Sequence, residues 1–356
     1  MAMFNNHQSL SISQFEKACE FLLPLGLVPM GFGQCGLGKT SVAYKLANKL
    51  GCEYTLKFNG QTRETFDIQG LPDTVVRDDG LKVTDWANCS EFLKIVDLAK
   101  QGKRSLIVID EITNSTINMT GSLMTLALEK RSGSLDLTVN GISPYIIVLG
   151  NRPEDNSNYN ELPLAFLDRG VVFDVTPDAN DWIEYAVSKS LHPLVISYIK
   201  QFPQAINEGW LPDLLKSGTP RGYEDLSKCE FANIPKDKES AIVSGIIGGE
   251  RAVEYVAFRR VWTEMVDRNT IYNNPETAPT PEKDRPDVLY TLSQSLAHFM
   301  TKENATATVK YMNRLDKEFA VMCLTDAVKR DKGLLVNAEL KKFAMSNMDV
   351  FTDLMN

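Results

Sequence analysis

The chain has 356 residues, enough for about two to three domains with a sizeable core, and its 43% hydrophobic and 24% charged content is that of an ordinary globular protein. A formal charge of -8 argues against a broad basic face for non-specific nucleic-acid binding, though not against a local basic stripe. No apolar run approaches the roughly 18 residues of a membrane helix and no leader-like segment opens the chain, so a cytoplasmic protein with no membrane partner is expected.

"SISQFEKACEFLLPLG" reads as a serine-capped amphipathic helix, and Val28 to Phe32 as a short strand with Pro29 at its start, where no ladder donor is needed. A glycine-rich stretch follows, then a helix over Thr40 to Leu50 and an alternating strand over Glu53 to Phe58. Residues 60 to 90 are polar and turn-rich. A helix is expected over Glu91 to Gln101, the apolar strand "SLIVIDE" after it, and another helix over about Asn118 to Lys130. "SGSLDLTVNG" suggests a hairpin arm, and "YIIVLGN" and "GVVFDVTP" two further buried strands. Strands alternating with helices imply a parallel sheet covered on both faces. Beyond Pro177 the patterns are helical, broken at "NNPETAPTPEKDRP".

"MGFGQCGLGKTSVAYKLANKL" carries two motifs at once. Gly31, Gly33 and Gly36 fit the G-x-G-x-x-G turn of a dinucleotide site, whereas Gly33, Gly38, Lys39 and Thr40 fit the P-loop G-x-x-x-x-G-K-[ST]. A dinucleotide site needs an acidic residue at the tip of the second strand, and Asn59 stands there instead. The P-loop gives Lys39 and Thr40 work: Lys39 neutralises the β- and γ-phosphates, and the Thr40 hydroxyl holds Mg²⁺. The loop Gly33, Gln34, Cys35, Gly36, Leu37, Gly38, Lys39, Thr40 and Ser41 is therefore read as an ATP phosphate site. Asp110 and Glu111 close the strand "LIVIDE", where Asp110 suits Mg²⁺ and Glu111 suits polarisation of the attacking water.

Six scattered cysteines without a C-x-x-C pair read as free thiols, and three histidines make a histidine-rich metal centre an unlikely expectation. Cys35 in the glycine loop is read as a small tolerated residue ahead of a redox control point.

These motifs, in this order, resemble an AAA+ ATPase of the MoxR-like branch, the helix-2-insert group that includes dynein-related domains. The resemblance spans about residues 25 to 230 and sits close to bacterial and phage-type members. It implies a P-loop α/β core with a parallel five-stranded sheet of order 5-1-4-3-2, followed by an α-helical lid and a C-terminal helical extension. The implied boundaries are a core over 1–177, with an insert at about 66–90 and a hairpin at about 132–143. A lid over 178–272, a linker or exposed loop over 273–286 and a helical region over 287–356 complete the chain.

"IIVLGNRPED" resembles the sensor-1 strand, which makes Asn151 the residue that positions water. "LPLAFLDRG" is similar to the family's "LPxAxLDRF", which makes Arg169 an arginine finger acting in trans; Gly170 replaces the usual aromatic. "GTPRGYEDLSK" resembles the sensor-2 segment, with Arg221 reaching the γ-phosphate. Plainer roles stand beside these: Asn151 as a turn cap, Arg169 paired with Asp168, Arg152 as a competing arginine, Arg221 as an ordinary helix-start residue.

The resemblance implies a homo-oligomeric ring, most simply a hexamer, that spends ATP with Mg²⁺ to remodel a protein client, in this family often one with a von Willebrand factor A domain. A nucleic-acid motor or loader is the first alternative, weakened because Arg77 and Lys82 are offset by Asp73, Asp78, Asp79 and Asp85. An ATP-gated scaffold with little turnover is the second, and Glu111 speaks against it.

Overall fold

In the computed structural model the described residues are 8–155, 160–208, 216–263 and 266–346. The first helix, α1 (Ile12–Leu22), opens on a capping box: Ser11 Oγ accepts from the Gln14 amide, and Gln14 Oε1 accepts from the Ser11 amide at 2.9 Å. Strand β1 (Pro29–Phe32) begins at Pro29, as its missing donor demands, and α2 (Lys39–Lys49) follows the glycine loop. Then come β2 (Tyr54–Asn59), α3 (Phe66–Gln69), β3 (Leu71–Val76), β4 (Lys82–Ala87), α4 (Ser90–Lys100) and β5 (Ser105–Asp110). Helix α5 (Ile117–Glu129), β6 (Arg131–Ser132), β7 (Leu135–Asp136), β8 (Tyr145–Gly150), α6 (Leu164–Leu167) and β9 (Val171–Asp174) complete this half.

Five strands form one all-parallel sheet in the order β2-β5-β8-β1-β9. Numbered among themselves along the chain, they read 5-1-4-3-2 from the other edge, the expected order. Both faces are covered, so the central strands are apolar throughout rather than alternating. Ile107, Ile109, Ile146 and Val148 pack with Phe92 and Ile95 of α4 and Leu123 and Leu126 of α5. Leu106, Val108, Ile147 and Leu149 face Phe15 and Cys19 of α1 and Val42 and Leu46 of α2. A parallel sheet wound this way gathers the carboxyl ends of its strands on one edge, where the glycine loop lies.

Two details refine the expectation. The polar stretch after residue 60 contains a six-residue antiparallel hairpin, β3 with β4, in which Asp73 faces Asp85 and Thr74 faces Thr84. Its β-strand residues are almost all exposed, so it shows no buried face to betray it in the sequence. At "SGSLDLTVNG" the antiparallel pairing is short: β6 pairs β7 around Gly133 (φ +57°), and a separate Val139–Ile142 bridge closes around Asn140 and Gly141. Gly133 is needed there, since a Cβ would lie 2.5 Å from the Gln69 carbonyl oxygen.

By its contacts the chain divides into two compact units, residues 1–181, 207–214 and 219–221, and residues 182–206, 215–218 and 222–356. The second is helical: most of α7 (Ala179–Ser188) and α10 (Pro220–Phe231), with α8 (Pro193–Gln201), α9 (Gln204–Asn207) up to Ile206, α11 (Glu239–Ile247), α12 (Gly249–Thr263) and α13 (Arg268–Asn273). Helices α14 (Pro286–Phe299), α15 (Ala305–Met312), α16 (Lys317–Arg330) and α17 (Ala338–Ser346) follow. Buried aromatics pack within it, Tyr198 against Tyr255 at 5.1 Å between ring centres, and the Tyr255 hydroxyl donates to Glu230 at 2.9 Å. The segment 273–286 is held by Arg314, which donates to the Pro275 and Ala278 carbonyls, and by Tyr311, which donates to that of Pro279. Among the described residues no helix is long and apolar enough to cross a membrane.

Candidate functional site: a phosphate loop facing two carboxylates

The site begins with the glycines between β1 and α2. Gly33 passes so close to the strand beside it that a Cβ would stand 2.1 Å from the Val175 carbonyl oxygen. Gly36 (φ +79°) and Gly38 (φ +93°) turn the chain in the left-handed region, which brings α2 in with its first amides toward the loop. Gly31, the residue unique to the dinucleotide motif, has a packing reason instead: a Cβ there would overlap the Phe15 ring. Asn59 at the second strand's tip caps its own turn, accepting from the Gln61 amide at 2.9 Å.

Lys39 is buried, and its ammonium folds back onto the loop. It donates to the carbonyl of Gly33, to that of Gln34 at 2.9 Å and to Asn151 Oδ1 at 3.4 Å. Burial pushes this lysine down to about 8, against the opposing pull of Asp110. Of the other loop residues, Gln34 and Leu37 are buried, whereas Ser41 and the free thiol of Cys35 are exposed.

Thr40 Oγ1 donates to Asp110 Oδ2 at 2.9 Å. Asp110 ends β5, and its other oxygen accepts the Glu111 amide at 3.1 Å. Glu111 itself sits at φ +59°, a conformation costly for a non-glycine residue and frequent at functional turns. Its carboxylate accepts from Asn114 Nδ2 at 2.6 Å. Asn151 follows β8, its amide donating to the buried Thr113 Oγ1 at 3.0 Å. One strand, β8, thus separates the loop-bearing β1 from the acidic β5, and its tip carries a polar residue that touches Lys39. The fold is a P-loop α/β core whose parallel strands run in the order 5-1-4-3-2.

Arg221 lies in the first turn of α10 beside this loop: its amide donates to the Gly36 carbonyl at 3.3 Å, and a Cβ on Gly36 would lie 3.5 Å from its own. Its side chain is exposed. Arg169 is exposed as well and makes no side-chain hydrogen bond or ion pair among the described residues, with Asp168 or with the loop. Arg152, the competing arginine, is committed elsewhere, bridging Asp155 at 2.6 Å and Asp174 at 3.3 Å. At Gly170 the Met30 side chain of β1 lies where a Cβ would be, so a larger residue there requires Met30 to shift.

Two residues that sequence reading missed join the cluster. Asn114 is fixed by the Glu111 turn, and Lys57 of β2 places its ammonium 2.9 Å from Asp110 Oδ2. Oxygen donors alone, the Thr40 hydroxyl and the Asp110 carboxylate, fit a hard cation such as Mg²⁺. Among the described residues no group of three or more His, Cys, Asp or Glu side chains forms a separate metal site.

No protein-family model and no curated protein matches the sequence. Solved structures align with it at low identity. An ATPase candidate from Cytophaga hutchinsonii aligns over 89% of this chain and 81% of its own, with 13% identity and a TM-score of 0.31. The ORC2 protein of Aeropyrum pernix, solved in ADPNP and ADP complexes, aligns over 82% and 88%, with 14% identity and a TM-score of 0.41. PCH-2 from C. elegans aligns over 92% and 71%, with 12% identity and a TM-score of 0.31.

Proposed function

We propose that the chain is a Mg²⁺-dependent ATP hydrolase of the MoxR-like AAA+ branch, which works as an oligomeric ring to remodel a protein partner. The observation that carries this reading is the convergence of Lys39, Thr40, Asp110, Glu111 and Asn151 on one loop at the sheet's carboxyl edge. Lys39 exchanges its own loop carbonyls for phosphate oxygens, a short swing that restores full solvation of its charge by ligand. Thr40 and Asp110 supply the oxygen donors for Mg²⁺, which when bound neutralises charge on the phosphates. The Glu111 carboxylate orients and polarises water, and Asn151, whose Oδ1 accepts from Lys39, helps to position it. Arg221 reaches the γ-phosphate from α10.

The exposed, unengaged Arg169 supports a finger offered to a neighbouring copy, and a site that needs two copies favours a ring. A protein client is favoured over nucleic acid because Asp73 and Asp85 stand directly opposite each other on the exposed hairpin β3–β4, a charge pairing that repels phosphate backbones. The hairpin also exposes Leu71, Val75, Val76 and Trp86.

The test is direct. Purified protein releases phosphate over many turnovers in Mg²⁺, and Glu111→Gln abolishes release while retaining ATP. The Glu111→Gln protein held with ATP then retains a specific protein on purification; recovery of nucleic acid in its place overturns the client assignment, and absence of turnover by the unmodified protein overturns the hydrolase.

A further inference from the structure

Asp110 is more heavily engaged than a metal-ready carboxylate needs to be. Its Oδ2 accepts from both Thr40 Oγ1 and the Lys57 ammonium, each at 2.9 Å, and its Oδ1 accepts the Glu111 amide. The carboxylate is nearly buried, 11% exposed, whereas the Lys57 side chain is 38% exposed. The two meet because β2 and β5 run parallel in register, Lys57 beside Val108 and Asn59 beside Asp110, so Lys57 lies on the same sheet face as Asp110. That face is the one covered by α2, whose first turn carries Thr40. Lys57 sits on an edge strand, with a flexible stem that can reach Asp110 or release it into solvent.

An ammonium at hydrogen-bond distance from Oδ2 occupies the place where a divalent cation, or a water it binds, would meet Asp110. Two cations on one carboxylate oxygen repel. A buried carboxylate left without any cation is costly. We propose that Lys57 is a resident cation of the metal subsite: it pairs with Asp110 and keeps it aimed at Thr40 before the metal arrives, and it must let go when Mg²⁺ enters. This rests on the ATP-site reading above. Lys57 is thus a positioning residue that sets how much metal the site demands, tying loading of the metal to arrival of the nucleotide whose phosphates help displace the lysine.

The experiment titrates Mn²⁺ into the full chain carrying one equivalent of a non-hydrolysable ATP analogue. Water-proton relaxation distinguishes Mn²⁺ bound to protein from Mn²⁺ held by free nucleotide. Removing a half-exposed competing charge makes Lys57→Met bind Mn²⁺ about three- to fivefold more tightly, and Lys57→Arg stays within about twofold of the unmodified chain. Lys57→Gln, which keeps a hydrogen-bond donor to Asp110 without the charge, behaves like Lys57→Met and serves if Lys57→Met does not fold. Equal or weaker Mn²⁺ binding by the folded, uncharged variant overturns the proposal. Failure of the unmodified chain to bind the analogue at all overturns the ATP-site reading instead, so the two failures are distinct.

Discussion

The Asn114 side-chain amide donates to Glu111 Oε2 at 2.6 Å, and it does so across a turn that places Glu111 at φ +59°. The short bond holds the carboxylate of a residue whose backbone already lies in the left-handed region. If Glu111 activates water as proposed, Asn114 is a positioning residue for that group. Asn114→Ala is expected to lower kcat by about tenfold, the worth of one hydrogen bond to a charged group, while nucleotide affinity changes by less than about twofold. Asn114→Asp, which sets a second negative charge against Glu111, lowers kcat further. Steady-state phosphate release together with a fluorescent-nucleotide titration checks both; a loss confined to nucleotide affinity counts against the assignment.

Histidines in the helical unit give an acid sensitivity unrelated to ATP. His192 and His298 are each pushed down to about 4, first by burial, then by nearby cations: Arg268 and Arg259 for His192, and Arg330, His192, Arg268 and Lys200 for His298. Their ordinary value is 6.5. Between about 4 and 6.5 the unfolded chain binds more protons than the folded one, so stability is full above 6.5 and falls as pH drops through that window. Each histidine contributes up to about 1.4 kcal/mol per pH unit there. Urea midpoints measured from pH 7.5 to 4.5 should fall accordingly. His192→Asn, which keeps a helix-capping side chain, combined with His298→Gln should flatten the profile. An unchanged slope in the double variant would show that other groups drive the loss.

How much of this was readable beforehand depends on where the information sits. Strand β5 is buried at every residue, so "SLIVID" announces itself by composition, and the loop and its two carboxylates follow from spacing alone. The hairpin β3–β4 was hidden because both of its faces meet solvent, which removes the alternation that marks a half-buried strand. The β-branched residues on either side of "RDDG" were the available signal. Lys57 and Asn114 could not be found by any local pattern. Lys57 reaches Asp110 only through the register that sets it beside Val108, a pairing 51 positions apart in chain that only the folded sheet creates. Asn114 reaches Glu111 only because the chain turns left-handed at Glu111. At Gly170, where the resembled pattern has an aromatic, the Met30 side chain fills the space beside the backbone, a contact no local pattern announces.

Arg169 allows a test in which two inactive proteins make an active one. Arg169 is exposed and unengaged among the described residues, whereas Glu111 is held by Asn114 of its own chain. If Arg169 completes a neighbour's site, Arg169→Ala loses turnover, by about 10³-fold or more, while the oligomer stays intact by light scattering. Glu111→Gln loses turnover through the other half of the same composite site. In a mixed ring, an Arg169→Ala subunit keeps a sound loop and Glu111, and a Glu111→Gln neighbour offers it a sound Arg169. Mixing the two inactive proteins should therefore restore a fraction of the activity, peaking near equal proportions and vanishing at either extreme. A finger acting within its own chain predicts no recovery at any ratio, because each subunit would then carry its defect alone. Restored turnover on mixing would establish at once that Arg169 acts in trans, that Glu111 acts in cis, and that subunits of this chain share their sites.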